Sequence, residues 1–176
     1  RQEDPGGDMI RAILHADRKW GIGKNNSLLF SLPRDMKFFR ETTSGKTVVM
    51  GGNTLRSFPG GKPLKNRTNI VLSATQVRDD CIVVRTLDEL KAEMKRRAET
   101  GEDIYVIGGG SVYRALLPYC REVLVTKVDA DGGADVFFPD LDEDPDFRVA
   151  GDGGETEDNG YVVRFLTYQN LAVKPL

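Results

Sequence analysis

One histidine and two cysteines in 176 residues leave this chain few soft metal ligands. A Cys/His zinc cluster needs four, so no metal is expected. Cys81 and Cys120 are also too few for a secreted disulfide scaffold, and both are expected to be buried, reduced thiols. Surplus positive charge is missing too. The 25 Lys and Arg against 27 Asp and Glu give a formal net charge of −2, so nucleic acid is not an expected partner. Lys91, Lys95, Arg96 and Arg97 read as the solvated face of one helix. No apolar run reaches membrane-spanning length and no signal peptide is visible, so a cytoplasmic protein without a membrane partner is expected. There is no internal repeat and no domain linker. The expected organisation is a cloning scar or disordered extension at 1–8, one domain over 9–172, and a tail at 173–176. No exposed apolar seam stands out, so a monomer is expected.

What is present is an alternation of strand and helix patterns. Residues 9–16, MIRAILHA, read as a buried strand. A long connection over 17–32 follows, of a length that is usually functional or mobile. Pro33 then suits the first turn of a helix through Thr43. Further strands are expected at 46–51, 69–73, 81–84, 104–107 and 122–128, with helices at 52–58, 86–99 and 110–117. Thr86 is the expected cap of its helix, and Leu87, Leu90 and Met94 share that helix's apolar face. Residues 129–159 read mostly as loop, with a strand only around 147–150. YVVRFLTY, 161–168, alternates like a late antiparallel edge strand. The fold class is α/β with a mostly parallel sheet.

Two stretches carry candidate chemistry. VIGGGSVYRALL, starting at Val106, and VVMGGNTLRSF, starting at Val48, each run from a strand through glycines into a helix. Such junctions let backbone amides approach an anion, and two of them can hold both ends of a dinucleotide. Each is equally readable as a tight turn, with Asn53 and Thr54 as caps of the second. In SLPRDMKFFR, Asp35 and Phe39 lie four apart on one helix face. A carboxylate among Met36, Phe38 and Phe39 invites partial burial and therefore a partner. It complements the helix dipole, or it meets a heterocycle bearing two adjacent N–H donors.

The segments WGIGKNN, LPRDMKFFRETT, VVMGGNTLRSF, PLKNRTNIVLS, VIGGGSVYRALLP and VLVTKVDADGGADVFFPD stand in the order found in dihydrofolate reductases, and the chain resembles that family from Met9 to about Leu171. The resemblance implies an eight-stranded mixed sheet with seven strands parallel and flanking helices. It implies NADPH-dependent reduction of 7,8-dihydrofolate to tetrahydrofolate in one-carbon and thymidylate metabolism, with hydride going to C6 and a proton to N5. Antifolate-like molecules are implied as further ligands. Carried over residue by residue, Asp35 would hold the pterin edge and Thr126 would bond that acid. Met36, Phe39, Phe58 and Leu64 would pack on the substrate's rings, and Arg67 would clamp a carboxylate. Ile22 and Leu28, in the loop over 17–31, would lie near the nicotinamide. Gly51, Gly52, Asn53, Thr54 and Ser73 would line the cofactor, as would Ile107, Gly108, Gly109, Gly110, Ser111, Val112 and Tyr113.

Some positions depart from the family's pattern. Phe30 replaces a common Trp. His15 and Leu14 replace small residues beside the pterin, and His15 reads either as a core histidine with both nitrogens satisfied or as a substrate contact. Gly52, Ala74 and Ser111 stand where side chains often grip the cofactor's 2′-phosphate. NADH is therefore left open beside NADPH, with Arg56, Arg78 or Arg114 as substitutes. Two other readings stand beside this one: a pyrimidine reductase of riboflavin synthesis, and a binding protein that has lost turnover.

Overall fold

The structure, a computed structural model, describes residues 10–176; the expectations for residues 1–9 lie outside these. In chain order the elements are β1 (Ile10–Ala16), β2 (Gly21–Gly23), α1 (Pro33–Thr43), β3 (Thr47–Gly51), α2 (Gly52–Ser57), β4 (Thr68–Leu72) and β5 (Ile82–Val84). There follow α3 (Leu87–Glu99), β6 (Ile104–Gly108), α4 (Gly110–Leu116), β7 (Glu122–Val128), β8 (Val136–Phe137), β9 (Phe147–Asp158) and β10 (Tyr161–Asn170).

Eight strands form one sheet in the order β5-β4-β3-β6-β1-β7-β10-β9. The six strands from β5 to β7 pair in parallel, while β10 is antiparallel to both β7 and β9. Seven strands thus point one way and β10 opposes them. Within the sheet, β3 and β6 hold unbroken apolar runs, Val48 to Met50 and Ile104 to Ile107, because both faces are covered. Successive residues of β3 show it: Val49 packs with the cluster under α3 and α4, whereas Val48 and Met50 pack with Leu55 of α2 and the Phe38 and Phe39 rings of α1. In α3 the buried stripe is Leu90, Met94 and Ala98. Leu87, expected on that face, is exposed because it sits in the first turn, just inside the Thr86 cap. Thr86 Oγ1 does accept from the Glu89 amide, at 3.1 Å. Arg96 and Arg97 pair with Glu93 on the solvated side.

Other sequence expectations fail as well. β10 is an inner strand, and the edge is β9, twelve residues long where only 147–150 were expected. The segment FRVAGDGGETED hides its strand because it is mostly exposed, carries three glycines and meets β10 through two register shifts. The connection over 17–32 also contains β2, which pairs with β8. Finally, Cys120 is buried but Cys81 is only partly so; both are free. Burial pushes the Cys120 thiol up to about 12.

The start of that connection is pinned by Asp17, which is fully buried. Its carboxylate accepts from the amides of Lys19 (2.9 Å), Gly21 (2.8 Å) and Gly132 (2.9 Å). A buried carboxylate survives when backbone donors replace water around it. A Cβ on Gly21 would lie 2.5 Å from that of Ala134 and 2.9 Å from the Asp17 oxygens, so only glycine allows this approach. Residues 24–28, beyond this knot, are exposed.

Candidate active site

α1 begins without a cap of its own, since its N-cap residue is Leu32 and Pro33 follows. The orphan amides are met from 123 and 124 residues away. Asp158, at the end of β9, accepts from Arg34 N at 3.1 Å and from Asp35 N at 3.0 Å. Asn159, next in the chain, donates to Ser31 O at 2.9 Å. The β9–β10 turn therefore fixes where α1 starts, and with it Asp35.

The Asp35 side chain is 12% exposed and lies over the sheet. Thr126 Oγ1, on β7, donates to Asp35 Oδ1 at 2.7 Å, and His15 Nδ1, on β1, lies 3.3 Å from Asp35 Oδ2. His15 and Thr126 are register partners, so adjacent strands present both groups side by side. Among the described residues His15 Nε2 is buried without a hydrogen-bond partner, which departs from a core histidine satisfied at both nitrogens. Phe30 is buried among Leu32, Val128 and Val163, its ring 4.8 Å from Tyr161 and 6.0 Å from His15. Leu14 points away, into the cluster under α3 and α4, because alternate residues of a strand face opposite sides.

Along α1, Phe39 packs with Phe58 and Leu64 in one cluster, while Met36 is exposed. Arg67 sits at the helix's far end. Its guanidinium donates to Thr43 Oγ1 (3.0 Å), Lys65 O (2.8 Å) and Arg40 O (3.2 Å), and lies 5.9 Å from the Phe39 ring centre. All three acceptors are neutral oxygens. Burial, and then the nearby Arg40 charge, lower its pKa from the ordinary arginine value. A cation so placed favours an anionic ligand. From Asp35 to Thr43 the helix rises roughly 12 Å. α1 thus carries a carboxylate at one end and an aromatic ring along it, and its last turn is met by Arg67 from the segment before β4, an arginine without a carboxylate partner among the described residues.

The two glycine turns meet at one sheet edge, because β3 and β6 are parallel neighbours. A Cβ on Gly51 would lie 3.2 Å from Val112 Cγ2, and one on Gly108 would lie 3.3 Å from Thr54 Oγ1. Gly108 has φ +130°, a backbone region that favours glycine. Ile107 is half-buried and Ser111 exposed, whereas Val112 and Tyr113 are buried in the core, leaving only their backbone for a ligand. Burial pushes the Tyr113 hydroxyl pKa up, and that hydroxyl donates to Ile13 O at 2.8 Å. Asn53 and Thr54 do not cap α2: the N-cap is Gly51, and Asn53 Oδ1 instead accepts from Arg56 at 2.8 Å. Ile22 is buried in β2, and Leu28 is exposed in the adjoining loop.

Near Gly52 the structure adds a residue that the sequence did not single out. A Cβ on Gly52 would lie 2.5 Å from Gln76 Nε2, a buried donor without a partner among the described residues, whereas the Gln76 backbone N–H donates to Ser73 Oγ at 3.1 Å. Ala74 is exposed. Of the substitute cations, Arg78 is paired with Asp80 and Arg114 donates to Phe137 O. Asp17 and Asp158 were also missed. Each is one acid among 27 acidic residues, and the backbone donors that single it out come partly or wholly from distant elements.

Comparison with known proteins agrees with this geometry. A family model described as dihydrofolate reductase matches residues 9–170. The dihydrofolate reductase of Bacillus subtilis is 34% identical over 164 residues, covering 92% of this chain and 94% of that protein. That of Haemophilus influenzae is 34% identical over 151 residues, covering 82% and 88%. Among solved structures, a dihydrofolate reductase from Enterococcus faecalis complexed with NADP(H) and RAB-propyl superposes with a TM-score of 0.79 at 31% identity, covering 94% of this chain and 97% of that one.

Proposed function

Because the chain belongs to the dihydrofolate reductase family, and its activity is the NADPH-dependent reduction of 7,8-dihydrofolate to tetrahydrofolate, we propose that α1 is the element that holds the substrate. The observation that carries this reading is the pairing of Asp35 in its first turn with Arg67 at its last, Phe39 between them. Asp35 meets N3–H and the 2-amino group of the pterin through two parallel charge-assisted hydrogen bonds. Thr126 fixes the acid from below. Phe39, Phe58 and Leu64 flank the rings, with exposed Met36 at the rim, and Arg67 takes the glutamyl carboxylate.

The residues at the other edge fit a dinucleotide. Gly51 and Gly108 keep the backbone bare where side chains would crowd Val112 and Thr54, Gly109 continues that bare stretch, and the unpartnered Gln76 side-chain amide beside Gly52 and Ser73 awaits an acceptor. When bound, the reduced nicotinamide supplies the hydride to C6. The chain's own contribution is positional. Asp35 holds the pterin's orientation and, as a nearby negative charge, favours the protonated form at N5. The segment over 24–28, hinged on the Asp17 knot, covers the reacting rings and excludes water. The protein works as a cytoplasmic monomer, and antifolate-like molecules with an amidine edge occupy the same pocket. Among the described residues, no helix is long and apolar enough to cross a membrane.

The test is loss of reduced-nicotinamide absorbance on adding dihydrofolate, in wild type and in Asp35→Asn, with NADPH and NADH side by side. The amide removes two charge-assisted bonds worth about 3–6 kcal/mol together, so kcat/KM is expected to fall roughly 10²–10⁴-fold. Cofactor affinity is expected to hold. Undiminished turnover in the variant would remove Asp35 from this role.

A further inference from the structure

We propose that His15 is a positioning residue for the substrate-holding acid: a neutral imidazole that carries its proton on Nδ1 and donates it to Asp35 Oδ2. The inference rests on Asp35 being the acid that meets the heterocycle. Three observations support it. His15 Nδ1 lies 3.3 Å from Asp35 Oδ2, and the residue is 7% exposed. Among the described residues Nε2 is buried without a hydrogen-bond partner, so a proton there would be an unsatisfied N–H, and an imidazolium would bury part of its charge unpaired. The tautomer that leaves no donor orphaned is Nδ1–H with Nε2 bare.

The consequence is geometric. A carboxylate held at one oxygen can still turn about its Cβ–Cγ bond. Asp35 is held at both, Oδ1 by Thr126 and Oδ2 by His15, while its backbone amide is held by Asp158. Two adjacent strands therefore fix the plane of the carboxylate. Each oxygen has accepted one side-chain donor and retains a second lone pair for the ligand. Bidentate recognition of two parallel N–H groups depends on that plane. The groups facing His15 are Asp35 from α1, Thr126 from β7 and the Phe30 ring from the preceding loop, and Asp35 is the one acid among them.

His15 is the only histidine, so its imidazole nitrogens give a single, unambiguous set of ¹⁵N resonances. Long-range ¹H–¹⁵N correlation on the wild-type protein at neutral pH is expected to show a pyrrole-type Nδ1 and a pyridine-type Nε2. A protonated Nε2 would overturn the proposal. The kinetic arm compares His15→Leu with His15→Asn, whose amide can donate from near the Nδ1 position. His15→Leu is expected to raise KM for dihydrofolate about three- to tenfold, with a smaller effect on kcat, and His15→Asn to restore most of it. An Asn variant no better than Leu would sink the idea even if both fold. Asp35→Asn separates this failure from that of the underlying reading. If that variant keeps full turnover, the acid is misassigned. If it loses turnover while the histidine carries its proton on Nε2, only the role of His15 falls.

Discussion

Replacing Asp158 with Ala should act at a distance on both stability and substrate binding. Asp158 is 2% exposed, and its two carboxylate oxygens take the amides of Arg34 and Asp35 at 3.1 and 3.0 Å. Alanine leaves both donors unmet at a helix start where Leu32 and Pro33 offer no substitute cap. Loss of an N-cap costs about 1–2 kcal/mol, and here a second buried, charge-assisted bond goes with it, so about 2–3 kcal/mol is expected. For a chain of this length that is roughly 5–10 °C in melting temperature. Asp158→Asn keeps one carbonyl acceptor and should recover about half of the loss. Thermal unfolding followed by circular dichroism measures the first effect. The second is a rise in KM for dihydrofolate, because the freed Asp35 amide loosens the turn that aims its carboxylate. A melting point within about 2 °C of wild type would refute the claim that the β9–β10 turn anchors α1.

The other predictions concern the opposite end of α1 and the thiols. Arg67→Leu should raise KM for dihydrofolate roughly 10–100-fold, equivalent to losing about 1.5–3 kcal/mol from a charge-assisted pair, and leave cofactor binding unchanged. Equal affinity for a pterin lacking the glutamyl group in both proteins would confirm the site of the effect; an unchanged KM for dihydrofolate would dismiss the clamp. Cys120, buried with its thiol pushed up to about 12, should resist alkylation at neutral pH until the protein unfolds, while partly buried Cys81 is labelled slowly in the native state. Mass spectrometry after a timed iodoacetamide pulse distinguishes the two, and native labelling of Cys120 would contradict the packing described here.

The sequence by itself determined the alternation of strand and helix, the continuous apolar runs of β3 and β6, the glycine turns after them, and the placing of Asp35 and Phe39 on one helix face. These are local signals: period, propensity and glycine's freedom can be read within a dozen residues. Six motifs in order carried the family, and the matches to known reductases agree. What only the tertiary structure decided involves partners far apart in the chain. Asp158 reaches Asp35 across 123 residues, His15 across 20, and Thr126 across 91. The length of β9 was hidden because an exposed, glycine-rich edge strand carries little alternation, and its pairing with β10 supplies what its own sequence withholds. Leu14 and His15 looked equivalent as neighbours in one strand. The sheet gave them opposite faces, sending one into the core and the other against the acid. A buried carboxylate or imidazole owes its role to the donors and acceptors that surround it, and in this protein those arrive from other strands.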